Sequence, residues 1–205
     1  MRSPERETWL VLRAQAGDRE AFDELLRGVQ AQLFRYLLRL AGERELAEDV
    51  LQEVFIRVYR KLVWLHDPAL FRPWAYRIAT REAFKALRRE RRWTEQVRDE
   101  ELLASLPARE EDEGADADLI ARLPRLVARV SPASRAVLLL HYLDELTLEE
   151  VSDVLELSTG TVKSRLAYGL ATLRRLLGRD DETTTTRKGK RDGREEDRRD
   201  VEQAD

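Results

Sequence analysis

The stretch Leu146–Arg175, LTLEEVSDVLELSTGTVKSRLAYGLATLRR, decides how this chain is read. Its pattern predicts two helices joined by a tight turn. Leu148, Val151, Val154 and Leu155 recur at helical spacing and make one apolar face. Leu157, Val162, Leu166 and Leu170 supply the surface that face packs against. Ser158 stands where an N-cap belongs. No acidic residue occurs from Leu157 to Arg179, and Lys163, Arg165, Arg174, Arg175 and Arg179 give that segment a net charge of +5. A helix N-terminus with unpaired N–H groups and cationic flanks suits a phosphate-lined groove. A helix-turn-helix presents its reading helix in this way.

Working outward, the composition predicts an all-α protein. Leu, Ala, Glu and Arg dominate the 205 residues, only nine are glycine, and no run of alternating β-branched residues argues for a sheet. The net charge of −3 hides strong patterning. Trp74–Trp93 holds seven basic and two acidic residues, whereas Thr94–Asp118 holds ten acidic and two basic ones. Basic blocks on an acidic chain suggest two nucleic-acid contacts joined by a polyanionic connector. Solvated helix faces would give the same charge pattern. Cysteine is absent, which excludes a disulfide framework, thiolate zinc and a thiol nucleophile. The start, MRSPERETW, lacks the apolar core of a signal peptide, and no apolar run approaches the ~20 residues of a membrane span. A soluble, cytoplasmic protein is expected.

Four units follow from these shifts. Residues 1–93 read as an N-terminal helical domain, 94–118 as a flexible acidic linker, 119–178 as a helix-turn-helix domain and 179–205 as a disordered charged tail. Within the first unit, a short helix is expected to end at Gly17–Asp18. A second runs from the Asp18 cap to Leu26, and a third over Val29–Leu40. A fourth, Glu45–Leu65, has the clearest apolar stripe: Ala47, Val50, Leu51, Val54, Phe55, Val58 and Leu62. Asp67–Pro68 and Pro73 mark a connector before a fifth helix, Trp74–Arg92. In the second unit, Ser131–Pro132 reads as the cap and first turn of a helix through Tyr142.

Four segments carry a family resemblance that covers roughly residues 8–178. They are AQAGDREAFDELL from Ala14, AEDVLQEVFIRVYRKL from Ala47, FRPWAYRIATREAFKALRRERR from Phe71, and SPASRAVLLLHYLDELTLEEVSDVLELSTGTVKSRL from Ser131. In this order and spacing they resemble the extracytoplasmic-function class of bacterial RNA polymerase sigma factors. The chain departs from the usual pattern at Arg81, where that class generally has Asn, and at Ser152, where it favours Ala. It departs again at Glu156, where a small residue, commonly Gly, fills the turn. If Glu156 is left-handed, its side chain costs up to about 1–2 kcal/mol relative to Gly.

The resemblance implies partners and site residues. Asp49, Gln52, Glu53 and Ile56, spaced i, i+3, i+4, i+7, form an outward stripe that would meet core RNA polymerase, though an ordinary solvated helix face has the same look. The −10 promoter element would be opened and held by His66, Phe71, Arg72, Trp74, Arg77, Arg81, Lys85 and Arg88, although a tryptophan at the Trp74 position is more often core than a stacking platform. The −35 element would be read by Thr159, Thr161, Lys163, Ser164, Arg165 and Tyr168. An anti-sigma factor is implied as a regulatory partner. No catalytic residue, metal, cofactor, small-molecule substrate or membrane span is expected. The alternative is a conventional helix-turn-helix repressor or activator using its N-terminal block to dimerise or to sense a ligand. That reading leaves the Asp49–Ile56 stripe unexplained and requires palindromic half-sites. A helical enzyme comes third, since no nucleophile motif or Glu-x-x-His spacing occurs.

Overall fold

The computed structural model describes residues 4–100 and 117–178, and every regular element among them is helical. Helix α1 spans Pro4–Gln15. Gly17, at φ 95°, turns the chain, and Asp18 caps α2 by accepting from the Ala21 amide at 3.1 Å. That bond, opposed by desolvation and helped by Arg13, holds the Asp18 carboxyl below its ordinary value.

The sequence predicts two helices between Asp18 and Leu40, but the chain forms one, α2, Arg19–Ala41. Gly28 does not break it, because Leu25, Val29, Leu33, Tyr36, Leu37 and Leu40 bury one continuous stripe. A mid-helix glycine costs only about 1 kcal/mol, less than that stripe contributes. Gly42, left-handed at φ 85°, ends the helix.

Helix α3, Arg44–Lys61, buries Ala47, Val50, Leu51, Val54 and Val58 against α2 and α4. It stops sooner than its apolar stripe predicts. Leu62–Trp64 tightens into a 3₁₀ turn, and Leu62 remains buried there. A second 3₁₀ turn, Pro68–Leu70, is capped by Asp67, which accepts from the Ala69 amide at 3.0 Å. Helix α4 then runs over Phe71–Glu100. Pro73 sits in its first turn, where a missing N–H costs nothing. The backbone of residues 94–100, expected in the linker, thus continues the helix. The rest of that segment to residue 116, like the tail from 179, lies outside the described residues.

Helices α5 (Ala117–Ala128), α6 (Pro132–Tyr142), α7 (Leu148–Leu155) and α8 (residues 159–178) complete the chain. Ser131 precedes α6 as expected, without a side-chain capping bond. Packing joins the two halves: α6 lies on α2, and α7 lies on α4. A single cluster of buried side chains runs from Leu10 through α2–α4 to Val137, Leu140, Val151, Val154 and Val162.

Several polar groups within this packing are paired across it. Tyr36 and Thr80 share a buried hydroxyl–hydroxyl bond of 2.7 Å, and the Tyr36 and Tyr76 rings meet edge to face at 5.3 Å. The buried Arg135 guanidinium donates to Leu40 O at 2.8 Å, to Val130 O at 2.9 Å and to Ala128 O. One side chain of α6 thereby satisfies carbonyls at the C-terminal ends of α2 and α5, which otherwise lack intrahelical partners. Between α6 and α8 the fit is tight at Gly169, where an added Cβ would stand 2.9 Å from Leu138 Cδ1.

Candidate nucleic-acid interface and partner surface

Three sets of residues were singled out from the sequence, and the structure places them on different elements. On α3, Asp49 and Gln52 are exposed and Ile56 is 45% exposed. Glu53 is half-buried and pairs at 2.9 Å with Arg57, which also reaches Glu82 of α4 at 2.9 Å. Gln52 forms part of the edge of an open groove of about 630 Å³ between α2 and α3, with Phe34, Leu51 and Phe55 among its lining and Arg27 and Arg44 at its rim. Sequence periodicity found the stripe but not the groove, whose two walls come from different helices.

The second set surrounds the start of α4. His66 is exposed in the loop between the two 3₁₀ turns, and Lys85 and Arg88 are exposed on α4. Phe71 has to be removed from the DNA-contacting set. Its ring is 0% exposed and forms core, so it cannot reach a base in this arrangement. Arg72 is also committed: it binds Glu7 of α1 through Nε at 3.0 Å and Nη2 at 2.8 Å, and it bonds Gln32 of α2. Trp74 is half-buried and packs against the core, the second of the two readings its sequence position allowed. Arg81 forms an ion pair with Glu156, and Arg77 Nη1 lies 3.7 Å from the other oxygen of that carboxylate. Sequence reasoning passed over the exposed Tyr59, Val63 and Trp64, the last 73% exposed beside the loop. Their signal was the apolar residues of 59–64 that fall off the buried stripe of α3.

The loop is braced from behind. Gln15 Nε2 donates to Leu62 O and Leu65 O, each at 2.8 Å. One amide of α1 therefore fixes both ends of the turn that leads into the loop.

The third set lies on the helix-turn-helix. Thr147 caps α7 with a reciprocal box: its hydroxyl accepts from the Glu150 amide at 3.2 Å, and Glu150 accepts from the Thr147 amide at 2.8 Å. Glu156 closes α7 in the left-handed conformation, φ 55° and ψ 47°. Ser152 Oγ donates to Leu157 O at 2.7 Å and ties the turn back onto α7. Ser158 caps α8, accepting from the Thr161 amide at 3.2 Å. The hydroxyls of Thr161 and Ser164 are engaged locally, with Ser158 Oγ at 2.9 Å and Gly160 O at 3.0 Å. Lys163 and Ser164 are exposed, Tyr168 is 60% exposed, and Thr159, Thr161 and Arg165 are half-exposed at the same end of α8. These six residues lie in the N-terminal half of α8 and are spread around its solvent-accessible sides. None packs in the core.

Comparison with known proteins decides the family. Residues 25–93 match the family model described as Sigma-70 region 2, and residues 126–175 match Sigma-70, region 4. The chain is a sigma factor of the extracytoplasmic-function class. Among curated relatives it is 30% identical over 117 residues to the RNA polymerase sigma factor SigV of Bacillus subtilis (strain 168), covering 57% of this chain and 67% of SigV. It is 27% identical over 176 residues to the ECF RNA polymerase sigma factor SigW of the same organism, covering 82% of this chain and 94% of SigW.

Two solved structures share the fold. CnrH in complex with the cytosolic domain of CnrY aligns with TM-score 0.64 at 22% identity, over 85% of this chain and 99% of CnrH. The sigma factor RpoE of Bartonella quintana, in complex with the anti-sigma factor NepR, aligns with TM-score 0.60 at 21% identity, over 77% and 96%. Helices α2–α4 of this sigma factor thus belong to region 2, and α6–α8 to region 4. The protein is an initiation factor and not an enzyme. No helix among the described residues is long and apolar enough to cross a membrane.

Proposed function

We propose that this sigma factor is a dissociable cytoplasmic subunit that binds core RNA polymerase through α3 and reads promoters in two parts. Residues 1–93 take the polymerase and −10 functions, 94–118 form a connector, and 119–178 take the −35 function. In this reading residues 179–205 are a charged tail with no contact assigned to it. The observation that carries the reading is the presence of both sigma-70 regions on one chain, each with an open face of the appropriate chemistry.

The polymerase contact is assigned to Asp49, Gln52, Glu53 and Ile56, with the adjoining groove receiving an apolar side chain of the partner. An exposed apolar residue beside a groove floored by Phe34 and Leu51 suits helix-on-helix docking. The −10 contact is assigned to His66 with Arg77, Arg81, Lys85 and Arg88. Arg72 and Phe71 act in it only by holding the loop. Phosphate contacts of this kind give affinity and salt dependence, not sequence preference. The −35 contact is assigned to Thr159, Thr161, Lys163, Ser164, Arg165 and Tyr168. The hydroxyls of Thr161 and Ser164, already donating or shared locally, are left to act as acceptors or as helix-end supports. An anti-sigma factor is proposed as the regulator, by analogy with RpoE, which was crystallised with NepR.

Run-off transcription with purified core polymerase tests the reading. The chain is expected to direct initiation at discrete start sites preceded by paired −35 and −10 sequences. Ile56→Glu is expected to weaken core binding at least about tenfold, equivalent to 1.4 kcal/mol, without unfolding the chain. Arg165→Ala is expected to relax preference at the upstream element while core binding holds. Core-independent binding to a palindromic site by a stable dimer would favour the repressor reading instead.

A further inference from the structure

Glu156 has an unusual position. It ends α7 with a positive φ, a conformation in which a Cβ is strained and glycine is at ease. Its carboxylate nevertheless projects across the junction between the regions, onto the face of α4 that carries Arg77 and Arg81. The Arg81 bond is the main cause that holds this carboxyl below its ordinary value, with the charges of Arg81 and Arg77 adding to it against desolvation.

Two better-buried contacts fix the register in which the carboxylate meets these arginines. Tyr76 donates to Asp144 Oδ1 at 2.6 Å, and Arg135 donates to Leu40 O at 2.8 Å. A carboxylate is thus held with one oxygen toward each of two guanidiniums, the arrangement a nucleic-acid phosphate would otherwise make. The pair is largely exposed, at 59% for Arg81 and 48% for Glu156, so salt screens it and a competing polyanion can replace it.

We propose that Glu156 is an intramolecular latch, standing in for promoter phosphate on Arg77 and Arg81 so that the free chain masks its own −10 surface. The latch opens when core polymerase draws the two regions apart, and DNA phosphates then take the place of the carboxylate. The masking half of this proposal rests on the assignment of Arg77 and Arg81 to DNA given above. The closing half rests only on the geometry. A ligand moves such an equilibrium only through different affinities for its two states. Nucleic acid supplies that difference here, because it binds α4 only when Glu156 has left.

The absence of cysteine makes the test direct. Asp23 on α2 and Asp153 on α7 are exposed and lie outside every proposed contact, so each can be changed to Cys and spin-labelled. Distance distributions are then compared for the otherwise unaltered chain, Glu156→Gln and Glu156→Gly. Glycine relieves the positive φ, so opening in that variant cannot be ascribed to an unfolded turn. The unaltered chain is expected to give one narrow short distribution that lengthens on adding core polymerase. Both variants are expected to give longer, broader distributions without it.

In parallel, affinity of the free chain for a mixed-sequence 20-nucleotide single strand is expected to rise three- to tenfold in both variants. Identical distance distributions in all three proteins would overturn the latch. Longer distances with unchanged affinity would uphold the closure and overturn the assignment of Arg77 and Arg81 to DNA.

Discussion

Asp144 shows most plainly what a single buried group contributes. One carboxylate oxygen accepts from Tyr76, while the other is buried with no hydrogen-bond partner among the described residues. Burial pushes the carboxyl above its ordinary value, against the Tyr76 bond and the charges of Arg35 and Arg39, which pull it down. A raised folded-state value means the protonated form suits the fold. Its contribution is complete below the ordinary value of 3.8 and is lost as pH rises through the raised one. At neutral pH the ionised group is therefore a cost. Asp144→Asn keeps an acceptor for Tyr76 and is expected to raise stability at pH 7 by on the order of 1 kcal/mol. Urea unfolding followed from pH 7 down toward the ordinary value of 3.8 should show the gain shrinking toward acid, and a loss at pH 7 would refute the account. Glu156 has the opposite sign: its value is lowered, so what it contributes is present above the ordinary 4.5 and disappears as pH falls. Its backbone strain was legible in the sequence from its position in the turn. Its partners were not, because Arg81 lies 75 residues away and no periodicity links them. Arg81 and Glu156, two positions where the chain departs from its class, turn out to meet.

Elements were read well where an apolar stripe is long and poorly where one continuous helix was split in two. The stripes of α3 and the helix-turn-helix set their buried faces correctly, since a 3.6-residue period survives any tertiary arrangement. The break expected between Leu26 and Val29 does not form, because local helix propensity is weak beside the burial of Leu25, Val29 and Leu33. Phe71 misled because its place in a loop-proximal motif says nothing about which way a ring points. The capping box at α7 was available in the sequence as Thr147-x-x-Glu150 before an apolar run, yet only the partner cap at Ser158 was read. Thr147→Ala is expected to cost about 1 kcal/mol, seen as a lowered urea midpoint with an unchanged slope. Because α7 carries Glu156 at its other end, the same variant should also broaden the distance distribution between α2 and α7.

At the scale of the molecule, the charge shifts in the sequence gave no hint that helices of regions 2 and 4 share one packed core. Shared burial of this kind depends on facing surfaces far apart in sequence, such as Leu40 and Arg135. Arg135→Met removes the donor from carbonyls of α2 and α5 while keeping most of the apolar stem. Each carbonyl left unpaired in the interior costs on the order of 1–3 kcal/mol, so regions 2 and 4 are expected to melt separately in a calorimetric scan. A single cooperative transition at the original temperature would show that the guanidinium does not couple them. The amide of Gln15 holds two carbonyls of a turn that begins 47 positions later. On the proposed −10 assignment, fidelity of start-site choice would be anchored in a helix that touches neither promoter nor enzyme in any role given above. A genetic screen for relaxed initiation should return lesions there, in strains whose holoenzyme still assembles normally.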